Sequence, residues 1–188
     1  MNDIQLYRVK SWVEQARSGD QAAFSELVRE FHSSVWRFIL KSVHNPSDAE
    51  ELAQETFISA WRSLPTFRGD SKFSTWLLGI ALNLARNHCN RSASRKEVAL
   101  PEEDILESLL PQADDPSDLA QNKQTLVELD RAIARLPQEL RDVIILVRLE
   151  NLALEEAATL LQIPLGTVKS RLNRARERLV EEMFAHIS

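Results

Sequence analysis

Apolar residues recur at spacings of three and four along most of this chain, the period of a helix with one buried face. From Ala22 to Leu40 the stripe is Phe24, Leu27, Val28, Phe31, Val35, Phe38 and Ile39, which predicts an amphipathic core helix. A second helix opens at Ser47 or Asp48, either of which can cap the free N–H groups, and ends at Pro65. It buries Leu52, Ala53, Phe57, Ala60, Trp61 and Leu64 and turns Asp48, Glu51, Gln54, Glu55 and Arg62 outward. A third, from about Ser71 to Arg91, carries Phe73, Trp76, Leu77, Ile80, Ala81 and Leu84 as its stripe. Beside it Gly79, Asn83, Arg86 and Asn90 line up at spacings of four, three and four, a flank able to hydrogen-bond a ligand.

Seven prolines punctuate the pattern, and Pro101, Pro111 and Pro116 fall together in an acidic stretch with the composition of a tether. Within it, Ile105, Leu106, Leu109 and Leu110 can form a short helical turn. Beyond it, Thr125 to Leu136 and Gln138 to Glu150 read as two helices divided by Pro137. A shorter pair follows from Leu154 to Leu179, with a break at Ile163, Pro164, Leu165 and Gly166 and a basic helix that starts at a capping Thr167. With four glycines and few β-branched runs, the fold class is all-α. The reading is two small helical domains, residues 1–91 and 125–188, joined by an acidic flexible linker, 92–124.

Charge refines this picture. The formal net charge is -5, yet from Ser92 to Gln124 three Lys and Arg face eight Asp and Glu, so the linker holds the whole excess. From Thr167 to Arg178, Lys169, Arg171, Arg174, Arg176 and Arg178 face only Glu177. Cys89 is the single cysteine, which excludes an internal disulfide and a thiolate zinc site. No leader pattern and no apolar run of about 20 residues is present, so a soluble cytoplasmic protein is expected.

The last pair of helices has the helix-turn-helix pattern. On its second helix Val168, Leu172, Ala175 and Leu179 face the core, so Ser170, Asn173 and Arg174 point most directly away. Lys169 and Arg176 flank one side of that outer face, Arg171 and Arg178 the other. A helix fits the DNA major groove, Arg pairs with guanine, Asn with adenine, and flanking cations meet phosphates. A solvated amphipathic helix with a charged outer face is the alternative; the Pro-Leu-Gly turn favours DNA.

Three segments, Asp48 to Trp61 (DAEELAQETFISAW), Phe67 to Asn83 (FRGDSKFSTWLLGIALN) and Leu136 to Arg178, together resemble the extracytoplasmic-function group of sigma-70 family proteins, in the family's order. That resemblance implies a transcription initiation factor that binds core RNA polymerase and directs it to promoters. Residues 1–91 then form the region 2 domain, with Asp48, Glu51, Gln54 and Glu55 on the beta-prime clamp, although an acidic solvated face reads the same way. The loop Thr66–Ser71 lies by a base flipped from the non-template strand. Phe67, Arg68, Asp70, Ser71, Asn83, Arg86, Asn87 and Asn90 form the minus-10 set. An extruded base needs a polar and aromatic pocket that offsets an unstacking cost of a few kcal/mol. Phe67 can instead be core, Trp76 reads as core, and Arg68 and Asp70 can pair to close the loop. Residues 125–188 become the region 4 domain, which binds the beta flap and reads the minus-35 box with Thr167, Lys169, Ser170, Arg171, Asn173, Arg174 and Arg176. The linker runs toward the RNA exit path, where its acidic charge suits channels built for nucleic acid.

The resemblance further implies no cofactor, no metal and no catalysis, with a cognate anti-sigma factor masking both domains and able to hold the chain at the inner membrane. Three residues depart from the pattern. Gly79 stands where relatives often have Arg, Asn173 where they often have a bulky side chain, and Ala153 in place of a capping Ser or Thr. A conventional helix-turn-helix regulator explains the C-terminal domain equally well but leaves Asp48 to Asn83 without a role. For an enzyme, His32, His44, His88 and His186 lack metal-ligand spacing, and no nucleophile stands beside a base. Asp48, Glu51 and Glu55 share a helix face on which a divalent cation is conceivable.

Overall fold

The computed structural model describes residues 3–94 and 128–184, and every regular element among them is helical. They fall into two compact units. The acidic tether, its boundary, the Ile105–Leu110 turn and residues 125–127 lie outside the described residues.

The first unit holds α1 (Asp3–Arg17), α2 (Gln21–Val43), α3 (Pro46–Ser63), a 3-10 turn (Leu64–Thr66) and α4 (Phe73–Ser94). Helix α1 is an element the periodicity reading did not include. Val9, Val13 and Ala16 are buried at spacings of four and three, where α1 packs on α2. It stops because Gly19 takes φ +97, a left-handed turn that glycine adopts without a Cβ clash. Asp20 starts the next helix at once, its Oδ1 accepting the N–H groups of Ala22 at 2.8 Å and Ala23 at 3.1 Å.

Helix α3 opens at Pro46 rather than being capped by Ser47 or Asp48. Proline suits a first helical position, since its missing N–H has no partner there in any helix. The core centres on Leu27, Val35, Phe38 and Ile39 of α2, with Ala53 and Ala60 of α3. On α4 the buried positions are Phe73, Leu77, Leu78, Ala81, Leu82 and Ala85. The stripe is therefore rotated from the expected one, and Trp76, Ile80 and Leu84 are only half-buried. Helix α4 continues to Ser94, three residues beyond the expected end.

The second unit holds α5, described over 128–135, then α6 (Gln138–Ile144), α7 (Leu154–Leu161) and α8 (Leu165–Phe184). Arg141 closes the Pro137 corner, its guanidinium donating to the carbonyls of Ala134 at 2.5 Å and Leu136 at 2.9 Å. The expected single helix to Glu150 instead widens into a π turn at Ile145–Leu149. There the Glu150 N–H reaches the Ile145 carbonyl at 2.9 Å, and the Leu152 N–H the Leu146 carbonyl at 3.0 Å. The widened turn ends at Asn151, which takes φ +52. Ile145 and Leu146 stay buried with Val143, Ala157, Val168 and Ala175, and α8 packs on α6 and α7.

Candidate nucleic-acid and polymerase interfaces

The turn between α7 and α8 sets the pose of the basic helix. Helix α7 ends in a Schellman arrangement around Gln162, which takes φ +55: the Ile163 N–H reaches the Ala158 carbonyl at 3.1 Å, and the Gln162 N–H that of Thr159 at 3.3 Å. Helix α8 then opens at Leu165, two residues earlier than expected. The Pro164 carbonyl already accepts the Thr167 N–H at 2.8 Å and the Val168 N–H at 3.1 Å. Thr167 is thus a residue of the first turn and not the cap, because Leu165 and Gly166 are helical. At the other end of α7, Ala153 has no side-chain acceptor. The Glu156 carboxylate nevertheless accepts its backbone N–H at 3.1 Å, giving half of a capping box.

Val168, Leu172 and Ala175 are buried, which fixes the rotation of α8. Lys169, Ser170, Asn173, Arg174, Arg176 and Arg178 are consequently exposed, and Thr167 is half-buried at the edge. Arg171 is placed differently from these cations. Its guanidinium lies 2.8 Å from the Glu139 carboxylate of α6, and its side chain is 22% exposed.

On α3, Glu51, Gln54 and Glu55 are exposed on the outer face, and Gln54 donates to Glu50 at 3.2 Å. Asp48 turns aside to α4, 3.1 Å from His88 Nε2, while His32 of α2 lies 3.4 Å from Glu50. The two histidines therefore brace the first turns of α3 from either side. Among the described residues no three His, Cys, Asp or Glu side chains are grouped to hold a metal ion. The periodicity reading overlooked Ile58, which is 52% exposed and continues the Glu51, Gln54 and Glu55 face at helical spacing. It borders a cleft of about 440 Å³ walled by Phe24 and Trp61, whose ring centroids are 4.8 Å apart. The visible signal was one apolar residue in an otherwise polar row.

The loop before α4 divides into a buried foot and an exposed rim. Phe67 is only 8% exposed and packs in an aromatic cluster, 6.0 Å from Phe73 edge to face and 5.0 Å from Trp76. Its ring is packed in this cluster, in line with the core alternative that the sequence left open for it. Arg68, Gly69, Asp70 and Ser71 are exposed, with Gly69 at φ +80. No ion pair joins Arg68 and Asp70 among the described residues, so the loop is not closed by that bridge. Along α4, Asn83, Asn87 and Asn90 are exposed and Arg86 half-buried, so the polar flank is on the surface.

Residues 27–95 match the family described as Sigma-70 region 2, and residues 126–179 that described as Sigma-70, region 4. RNA polymerase sigma-H factor of Pseudomonas aeruginosa is 36% identical over 172 residues, which cover 89% of each chain. ECF RNA polymerase sigma-E factor of Escherichia coli (strain K12) is 37% identical, covering 89% of this chain and 90% of its own. Among solved structures, the sigma factor RpoE of Bartonella quintana in complex with the anti-sigma factor NepR matches with TM-score 0.66 and 25% identity, over 85% of this chain and 96% of that one. CnrH in complex with the cytosolic domain of CnrY shares the fold at TM-score 0.69 and 24% identity, over 95% and 98% of the two chains. On the two region matches and on relatives this similar over nearly their whole length, the chain belongs to the extracytoplasmic-function group of the sigma-70 family.

Proposed function

We propose that this chain is a promoter-specific initiation factor whose surfaces divide the work of recognition, with α1–α4 as the region 2 domain and α5–α8 as the region 4 domain. One observation carries the reading: the buried row Val168, Leu172 and Ala175 leaves Lys169, Ser170, Asn173, Arg174 and Arg176 exposed on one helix of a helix-turn-helix. Asn173 and Arg174 read base edges of the minus-35 box, and Lys169 and Arg176 hold phosphates, with Ser170 and Thr167 beside them. Arg171, engaged by Glu139, fixes the helix against its own unit and reaches DNA only at its margin.

Glu51, Gln54 and Glu55 form the polar part of the polymerase contact, and Ile58 with the Phe24–Trp61 cleft its apolar anchor. Interfaces draw most of their energy from a few such anchors set among polar neighbours. Asp48 supports this surface through His88. Arg68, Asp70, Ser71, Asn83, Arg86, Asn87 and Asn90 hold the opened minus-10 strand, and Phe67 supports the loop from beneath. The chain performs no chemistry of its own. It acts in the cytoplasm, where an anti-sigma factor binds it; the Bartonella quintana relative is in complex with the anti-sigma factor NepR. Tethering at the inner membrane is the property of such a partner, since no described helix is long and apolar enough to cross a bilayer.

The test is binding of core polymerase in the absence of DNA, followed by sequencing of the RNA starts that the assembled enzyme makes. Submicromolar binding that Glu51→Lys with Glu55→Lys abolishes is expected. Binding of an isolated duplex operator without any affinity for polymerase would instead identify a conventional regulator.

A further inference from the structure

Helix α3 carries four carboxylates, Asp48, Glu50, Glu51 and Glu55, against one cation, Arg62. At about 100° per residue its exposed row runs from Gln54 through Ile58 and Glu51 to Glu55, with Glu50 about 40° outside Gln54 and Asp48 about 20° outside Glu55. A carboxylate therefore borders the row on each side, and each border carboxylate meets an imidazole from a different helix. His32 Nε2 of α2 is 3.4 Å from Glu50 Oε1, and His88 Nε2 of α4 is 3.1 Å from Asp48 Oδ2.

Both imidazoles are fixed in place yet open to solvent protons. Their side chains are 37% and 28% exposed. The His32 ring lies nearly parallel to that of buried Phe57, with centroids 6.1 Å apart. Glu50 Oε1 also accepts the Gln54 amide at 3.2 Å, so His32 reaches the exposed row through one shared oxygen. The neighbouring charges are otherwise engaged. Arg29, one turn before His32, pairs with Glu26, and Glu30 turns to Gln5 of α1. Arg91, one turn beyond His88, donates to the Asn87 carbonyl at 3.2 Å. Lys41 is the charged residue that α2 brings to that end of α4, beside the Ser42 carbonyl that accepts the Cys89 thiol at 3.6 Å.

Imidazole is the side chain that ordinarily changes charge between about pH 5 and 8. A neutral imidazole leaves the charge of the carboxylate beside it in place, whereas an imidazolium cancels it. An acidic face draws a cationic partner surface, and its attraction weakens with every charge cancelled.

We infer that His32 and His88 are positioning residues that make the polymerase contact of α3 sensitive to protons. They hold the two border carboxylates in place, and those carboxylates add to the charge of the face only while the imidazoles are neutral. Acidification weakens the contact, and binding of the polymerase near neutral pH releases protons. His44 takes no part, because burial lowers it to about 4 and it stays neutral through this range. The inference rests on the reading that the outer face of α3 binds polymerase.

The test is equilibrium binding of full-length chain to core polymerase without DNA, for wild type, His32→Gln, His88→Gln and the double variant against the same core. Glutamine keeps an N–H donor for the carboxylate but takes up no proton. From about pH 8 to about pH 5.5 the wild-type affinity should fall about fivefold more than that of the double variant, with each single variant recovering about half of the difference on a logarithmic scale. At the alkaline end all four should bind alike. The difference should shrink at about 1 M salt, where exposed charges are screened within about 3 Å. In calorimetry near pH 6.5, the dependence of binding enthalpy on buffer ionisation should show more protons released by wild type than by the double variant.

A merely structural role predicts variants that bind worse at every pH, and that result overturns the inference. Parallel pH profiles in wild type and the double variant overturn it too, while leaving the polymerase reading of α3 intact. If the double variant melts early, the two single variants decide by the same comparison. Core affinity unchanged in Glu51→Lys with Glu55→Lys overturns the reading of α3 and the inference together.

Discussion

The Arg171 guanidinium lies 2.8 Å from the Glu139 carboxylate, so one cation of the basic helix is spent on holding that helix to α6. Arg171→Ala and Glu139→Ala should each destabilise the chain by no more than about 1 kcal/mol, since Glu139 is 56% exposed and the pair is solvent-screened. In transcription from promoters with varied upstream boxes, Arg171→Ala should lower all of them alike. A change in which bases are preferred would place Arg171 among the base readers.

Arg174 and Lys169 are exposed on the outer side of the same helix, and the contrast with Arg171 sets the next expectation. Arg174→Ala should cost about 1–3 kcal/mol of discrimination at one position of the upstream box. Lys169→Ala should weaken binding uniformly and reduce the salt slope by about 1. The same promoter set measures both, and unaltered selectivity in Arg174→Ala would overturn the docking proposed for α8.

The loop residues should separate into two classes. Phe67→Ala removes a side chain buried against Phe73 and Trp76 and should cost about 3–5 kcal/mol of stability in denaturant titrations. Arg68→Ala and Asp70→Ala alter exposed, unbridged side chains and should leave stability within about 0.5 kcal/mol. Their expected effect is slower promoter opening, read by permanganate reactivity of unpaired thymines. Opening at the normal rate in both would remove the rim of the loop from the minus-10 surface.

On α3, Ile58→Ala deletes an exposed apolar side chain, so the melting temperature should hold while core polymerase affinity falls by about tenfold or more. Asp48→Ala should do the opposite in part, lowering stability through loss of the His88 contact. Equal loss of affinity in the two, with equal loss of stability, would mean that α3 is merely weakened and not selectively stripped of an anchor.

How far the sequence reveals these surfaces varies by element, for physical reasons. The rotation of α8 is legible because Val168, Leu172 and Ala175 recur at helical spacing in a strongly basic helix and are buried as that spacing implies, while Leu179, the last of the expected row, is half-buried. Helix α4 is the contrary case. It carries apolar residues at 76, 77, 78, 80, 81, 82, 84 and 85, so several rotations satisfy the pattern, and only packing against α2 selects the one that buries Leu78 and Leu82. Helix α1 is marked by Val9, Val13, Ala16 and a Gly19–Asp20 punctuation, but its exposed Ile4, Leu6 and Tyr7 blur the stripe. Boundaries escape where the backbone decides them: the start of α8 depends on the Pro164 carbonyl, and the π turn on a shift of hydrogen-bond partners that no side chain announces. The commitment of Phe67 to the core is likewise a packing outcome, since an aromatic residue in a loop suits both a base and a cluster.

Helix α7 has two correctable ends, and they lead to an expectation independent of DNA. At its start Ala153 supplies no side-chain acceptor, so Ala153→Ser should complete the capping box begun by Glu156 and add about 1 kcal/mol. At its end Gln162 occupies φ +55, a conformation that costs a residue with a Cβ roughly 1–2 kcal/mol. Gln162→Gly relieves that strain and loses part of the gain to the greater freedom of glycine in the unfolded chain, leaving about 0.5–1 kcal/mol. The eight residues of α7 separate the two positions, which lie about 14 Å apart along the helix, so their effects should add. Each kcal/mol should raise the melting temperature of the α5–α8 transition by about 4–8 °C, measured by calorimetry of the full chain. A lower melting temperature in Gln162→Gly would mean that its side chain makes a stabilising contact outweighing the backbone strain. Weaker promoter binding together with a raised melting temperature would make Gln162 a contact of the turn with the DNA backbone.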